Sequence, residues 1–270
     1  MEIYALHDET NEGSRTLAYL ECYDRLHAFY FELPPDADPW DLPFILHEYA
    51  RRGQHTIDAA WSATWVRSRL VPPERQNLGE VLSENGLTEY DELRLLRLTE
   101  GRCSQDGCYL VPASRAELPS WYLEREKRRM TDVYALGNQR LLATFRDGRV
   151  SLCDMRPLLE AKRPFARVLA DESVFARVSL EAGGHGARWG ETLAVPADEI
   201  RASGQDLPLG AADVRGLARQ AVCDSAEAAN LLGCTRQNIS DLVRRGKLTP
   251  LKSDSRGALF LRADLLARIT

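Results

Sequence analysis

Hydrophobic positions recur at helical spacing twice near the end of the chain. Ala228, Ala229 and Leu232 form one small apolar face, and Ile239, Leu242 and Val243 follow at i, i+3 and i+4. Asp224 or Ser225 stands where a short side-chain oxygen caps the first helix, and Thr235 does so before the second. Gly233 and Gly246 stand where left-handed backbone ends each helix. The period then shortens. Residues 247–252 and 258–261 predict two strands about a turn at 253–257, and residues 263–269 predict a closing helix. The two alanines let a second helix cross close by.

Upstream, residues 3–6, 16–22 and 27–33 read as strands, with a polar turn at 8–14. A proline-rich break at 34–39 leads into helical spacing at 39–52, 56–70, 78–85 and 89–96, followed by a strand at 108–111. Trp61 and Trp65 continue an apolar stripe with Ile57 and Ala60 that suits core packing. The charged run at 124–129 reads as a solvated helix face or linker. In the middle, residues 140–146 and 149–154 alternate around Asp147-Gly148, a tight-hairpin signal. Helical faces follow at Leu158-Leu159 and at Phe165, Val168 and Leu169. Phe175, Val178 and Leu180 lead into a strand that Gly183-Gly184-His185-Gly186 turns back on 187–189, and 196–200 starts a short helix. Residues 202–220, with Gly204, Pro208 and Gly210, read as a linker with a short helix at 211–220.

These patterns predict an α+β multidomain chain. Its parts are an N-terminal α+β region at 1–130, a small α+β domain at 131–201, the linker, and a C-terminal module at 221–270. Charge divides along the same lines. Residues 1–130 hold 15 basic and 23 acidic residues, whereas residues 221–270 hold 8 basic and 5 acidic, within a chain of net charge -5. A basic end on an acidic chain suits a DNA-binding module attached to something else.

Candidate chemistry is sparse. Neither a P-loop nor a glycine-rich dinucleotide turn is present. Cys103 and Cys108 flank a turn with no second Cys/His pair behind them, and His47, Glu48 and His55 lack zincin spacing. Ser14, Ser62 and Ser68 lack a nucleophile-elbow context. A lone His185 in a glycine turn makes no metal site. The expectation is therefore no enzyme, no cofactor and no metal. Six scattered cysteines without a secretion signal imply reduced thiols and a cytoplasmic protein, and no run is long enough to span a bilayer.

On a helical wheel centred on Ile239, Gln237, Asp241 and Arg244 face away from the apolar stripe, flanked by Asn238, Ser240 and Arg245. Gln and Asn suit adenine and Arg suits guanine. With Thr235, Arg236, Lys247 and the hairpin residues Lys252 and Arg256, these ten residues other than Asp241 form the expected DNA-binding set. Asp241 departs from that chemistry by placing a carboxylate on the same face.

Two resemblances follow from motifs. The C-terminal module resembles the winged helix-turn-helix of phage excisionases and mercury-resistance-type regulators. The matching residues are Glu227-Ala228-Ala229, Leu232-Gly233, Thr235-Arg236-Gln237, Ile239, Arg244-Arg245-Gly246-Lys247-Leu248 and Arg262-Ala263-Asp264-Leu265. The middle region resembles the bacterial domain-of-unknown-function family 2442 through its 142–148 hairpin, Asp154-Met155-Arg156-Pro157-Leu158-Leu159, Phe165, Leu169, Asp171, Phe175, Trp189 and the 196–200 segment. That second resemblance implies a compact α+β domain and no activity. Together they imply a cytoplasmic transcription regulator that binds double-stranded DNA, with residues 1–201 serving partner contacts or sensing. The competing expectation is a protein-interaction or antitoxin-like partner without sequence-specific DNA binding.

Overall fold

The computed structural model describes residues 1–9, 15–254 and 257–268. It mixes helices with four small sheets, as an α+β chain should. The first region opens with strands β1 (Glu2–Asp8), β2 (Ala18–Tyr23) and β3 (Ala28–Glu32). Helix α1 (Phe44–Arg51), strand β4 (Thr56–Ile57) and helices α2 (Ala59–Arg67), α3 (Leu78–Glu84) and α4 (Glu92–Thr99) follow. Strand β5 (Cys108–Pro112) and helix α5 (Ser120–Lys127) close it. The five strands form one antiparallel sheet in the order β4-β3-β2-β1-β5.

Alternation assigns the two faces of this sheet. Tyr4, Leu6, Leu20, Cys22, Phe29 and Phe31 point into a core shared with Leu46, Trp65, Val66, Leu93 and Leu96. Ile3, Ala5 and Tyr19 point the other way, against Leu118 and Tyr122. Two expectations change here. The helix foreseen from residue 56 starts later, because Asp58 accepts from Trp61 N at 3.0 Å and leaves Thr56 and Ile57 free to pair with β3. Trp65 is buried, but Trp61 stays half exposed on the outer side of α2. The 124–129 run is not simply solvated either. Tyr122, Glu126 and Arg129 recur at i, i+4 and i+7 and are buried, while Glu124 and Lys127 remain outside.

The middle region continues with β6 (Met130–Leu136), β7 (Arg140–Phe145) and β8 (Val150–Asp154), the last two pairing about Asp147-Gly148 as expected. Helices α6 (Arg156–Glu160), α7 (Ala166–Ala170) and α8 (Glu172–Phe175) precede strands β9 (Ser179–Leu180), β10 (Gly186–Trp189) and β11 (Leu193–Pro196) and helix α9 (Ala197–Ser203). By their contacts, residues Met1–Met130 and Ser179–Asp198 form one unit, and Thr131–Val178 with Glu199–Thr270 form the other. The grouping breaks after Met130, and it places Ser179–Asp198 with the first unit.

The expected linker is largely ordered structure. Strand β12 (Gln205–Asp206) pairs with β8, and Asp206 accepts from Ser151 Oγ at 2.7 Å. These residues cover an edge that β8 would otherwise leave unpaired. Helix α10 (Ala211–Ala221) occupies most of the remainder.

The C-terminal module comprises β13 (Val222–Asp224), α11 (Ser225–Leu231), α12 (Arg236–Arg244), β14 (Lys252–Asp254), β15 (Gly257–Leu261) and α13 (Arg262–Leu266). Asp224, rather than Ser225, caps α11, accepting from Ala226 N and Glu227 N, while Glu227 accepts from Asp224 N. After Gly233, Cys234 N reaches back to Ala229 O at 2.9 Å. After Gly246, Lys247 N reaches Leu242 O at 2.9 Å. Both glycines have positive φ. Cys223, Ala228, Ala229, Ile239, Leu248, Phe260 and Leu265 make the core.

The hairpin differs from expectation. Residues 247–251 form no strand, because Lys247 and Leu248 donate to Leu242 O, Leu248 fills the core, and Pro250 has no amide hydrogen. Strand β14 begins only at Lys252, and β13 adds an unforeseen third strand, giving the order β13-β15-β14. Phe260 is fully buried between these elements. Phe260→Ala should cost about 3–5 kcal/mol. Urea unfolding should show the module melting well before the parent.

Candidate nucleic-acid interface and a buried ionic cluster

Helix α12 is positioned by its apolar side. Ile239 is buried, Leu242 and Val243 pack beside it, and Ala228 and Ala229 lie against them without bulk. Arg236, Gln237, Asn238, Ser240, Arg244 and Arg245 are exposed on the remaining surface, and Lys247 and Lys252 are exposed beyond it. Not all of them are free to contact a ligand. Thr235 Oγ1 accepts from Asn238 N at 3.3 Å as the helix cap, and Ser240 Oγ donates to Arg236 O at 3.3 Å. Arg256 lies outside the described residues.

Six of the ten expected residues fall at three places. Arg236 and Lys252 meet at a depression of about 380 Å³ with Asp224, Ser225, Asp254 and Leu259. Asn238 and Arg245 line a separate one of about 580 Å³ with Asp241, Cys234 and Arg268. Gln237 and Arg244 belong to the ridge between successive turns, where Arg244 Nη2 is 2.6 Å from Asp241 Oδ1. The Asp224 carboxyl is held below its ordinary value by amide hydrogen bonds from Glu227 and Ala226. Asp224 therefore adds a stable negative charge beside Arg236.

A second constellation escaped sequence reading. Glu21 on β2 and Glu32 on β3 lie on the same sheet face, where Glu21 pairs opposite Tyr30 and Glu32 opposite Tyr19. Both carboxylates are buried. Arg129, just after α5, spans them. Its Nη1 donates to Glu21 at 2.8 Å, its Nη2 donates to Glu32 at 2.9 Å, and Nη2 also reaches Glu21. Arg125 and Thr56 bond the far oxygen of Glu32 at 2.7 and 2.9 Å. Tyr23 and Tyr122 hydroxyls donate to Glu21.

His185 completes the cluster from the glycine turn between β9 and β10. Its Nε2 is 3.0 Å from Glu21, its Nδ1 is 3.7 Å from Glu32, and its ring lies flat on Tyr30 with centroids 3.8 Å apart. Gly184 permits this approach, since a Cβ there would stand 2.0 Å from the Met130 carbonyl oxygen. His185 is thus not the lone histidine it looks in sequence. The only sequence signal was two glutamates inside otherwise apolar strands, which also suits a solvent-facing side. Burial alone would push the Glu21 carboxyl up, but the facing His185 and Arg129 outweigh it and hold it low.

Glu21, Glu32 and His185 offer three ligand atoms within 4.8 Å of one another. The guanidinium of Arg129 already takes the cation's place, and all four carboxylate oxygens accept hydrogen bonds. The donor set therefore does not fit a metal. His47, the other candidate, is bound through Nδ1 to Pro39 O at 2.7 Å and packs on Trp40.

No family model matches the chain, and no curated protein does. A solved structure of a candidate DNA-binding protein from Nitrosomonas europaea is similar over 52% of this chain and 84% of its own. The identity is 24% and the TM-score 0.26. A likeness of that degree decides neither fold nor function. Among the described residues, no helix is long and apolar enough to cross a membrane.

Two measurements address the cluster and the neighbouring Glu181, which hydrogen-bonds Tyr30. Arg129→Met strands two buried carboxylates and should destabilise the chain by about 3–5 kcal/mol, against near zero for exposed Arg94→Met. Denaturant unfolding reads the difference. The second concerns Glu181, whose carboxyl is pushed up to about 7 by burial, with Asp58 adding to the rise and Tyr30 and Arg188 opposing it. A raised carboxyl pKa favours the folded state below about pH 4.5 and withdraws up to about 3 kcal/mol as pH rises through 7. Glu181→Gln should remove that loss. Its melting temperature should exceed the parent's at pH 8 and match it at pH 4, and parallel pH profiles would refute this.

Proposed function

We propose that the chain is a DNA-binding regulator whose C-terminal module is a winged helix-turn-helix. In this reading α11 and α12 are the helix pair, α12 enters the major groove, and the β14–β15 hairpin is the wing. One observation carries it. Helix α12 turns a single apolar stripe inward and presents Arg236, Gln237, Asn238, Arg244 and Arg245 outward, with Lys252 on the neighbouring hairpin. Excisionase and mercury-resistance-type regulators have the same order of helix pair and hairpin, which supports the reading. The middle region is taken as a domain of the unknown-function family 2442, and no reaction is assigned to it or to the buried ionic cluster.

Residues 1–201 would then serve partner contacts or sensing. Trp40 and Phe44, four residues apart, are 85% and 80% exposed, as interface anchors often are. A second reading, a protein-interaction module without sequence-specific DNA binding, draws on Leu251 and Leu259. They adjoin across the hairpin and are both exposed.

Selection of duplexes from a random pool, followed by gel shift over a salt series, separates the two. DNA binding requires affinity to fall steeply with salt, whereas a protein contact need not. Gln237→Ala should cost about 1–3 kcal/mol on a selected duplex and relax preference at one position. Lys252→Ala should weaken every duplex alike and shallow the salt slope by about one unit. A folded Gln237→Ala chain that binds the selected duplex undiminished would remove α12 as a reading head.

A further inference from the structure

Gln237, Asp241 and Arg244 succeed one another at i, i+4 and i+7 along the outward ridge of α12. Asp241 is the unexpected member, a carboxylate among groups suited to bases and phosphates. Its Oδ1 lies 2.6 Å from Arg244 Nη2, and the two side chains are 35% and 74% exposed. The short, half-buried aspartate is the anchored partner, and the long arginine is the one that gains order. One of the five guanidinium N–H donors is used in the contact, which leaves four, an adjacent pair among them for a guanine edge.

The same carboxylate acts a second way. It repels phosphates and cancels the charge through which Arg244 would bind any duplex, so it lowers sequence-independent affinity. A site that engages the held guanidinium escapes that penalty, and a site that does not bears it. Selectivity is a difference of affinities, and a built-in repulsion against wrong partners widens it.

We propose that Asp241 is a specificity-determining residue, fixing the Arg244 guanidinium for a base edge while disfavouring duplexes that offer it none. The inference rests on the reading of α12 as the DNA-facing helix. It is tested with the full chain on two probes of equal length, a duplex selected by the parent protein from a random pool and a scrambled version of it.

Asp241→Asn should tighten the scrambled duplex, weaken the selected one and so lower their affinity ratio about tenfold. The salt slope on the scrambled duplex should steepen by about one unit. Because the loss on the selected duplex runs through Arg244, adding Asp241→Asn to Arg244→Ala should weaken that duplex no further, and relief of phosphate repulsion should tighten it if it moves at all. A general loss of helix structure would instead weaken both duplexes together. An unchanged ratio in a folded Asp241→Asn chain overturns this inference and leaves the DNA reading intact. Failure of the parent to enrich any duplex overturns both.

Discussion

Two carboxylates on one buried sheet face cannot stay there without a cation. Arg129 is that cation for Glu21 and Glu32, and the first unit is arranged to deliver it. Helix α5 must lie over the second face of the sheet to place Arg129, and in doing so it buries Tyr122 against Tyr19. The β9–β11 segment must return to that unit, more than fifty residues after Met130 in the case of His185, to set its imidazole on Tyr30. Such a network contributes little net stability compared with a well-packed apolar face, because each ion is desolvated. Its consequence is uniqueness: a shifted register or a displaced helix would strand a charge.

The C-terminal module works on the opposite principle. Its core is small and apolar, and its polar groups at helix ends are satisfied locally. Asp224 and Glu227 close one end of α11, Thr235 opens α12, and two left-handed glycines end the helices. With the ends capped and the core apolar, the outer face of α12 carries none of the fold's packing. That leaves it available for recognition, and it makes an internal ion pair such as Asp241–Arg244 a matter of surface chemistry rather than of folding.

Local signals were the legible ones. Helical spacing at Ile239, Leu242 and Val243, the alternation around the Asp147-Gly148 hairpin and the strand-like runs at 3–6, 16–22 and 27–33 depend on residues a few positions apart. Their elements stand where the pattern puts them. The failures share a cause as well. Thr56 and Ile57 look helical until Asp58 caps the helix behind them. Residues 205–206 look like linker until β8 needs a partner. Residues 247–251 look like a strand until capping of α12 and Pro250 use up their hydrogen-bonding capacity. In each case a competing backbone partner decided the outcome: β3 for 56–57, β8 for 205–206 and Leu242 O for Lys247 and Leu248.

For the candidate interface, the sequence by itself determined which side chains of α12 face outward, because a helix's period converts positions into directions. The Asp241–Arg244 pair is likewise local, an i,i+3 contact within α12, whereas only the tertiary structure decided that Arg236 and Lys252 share one depression. The ionic cluster was decided almost wholly by tertiary structure. Glu21, Glu32, Arg129 and His185 are ordinary charged residues in sequence, and Arg129 sits in a run that reads as solvated. Their role arises from a sheet covered on both faces. Whether a strand's second face meets water or protein depends on what packs there, and alternation alone carries no record of it.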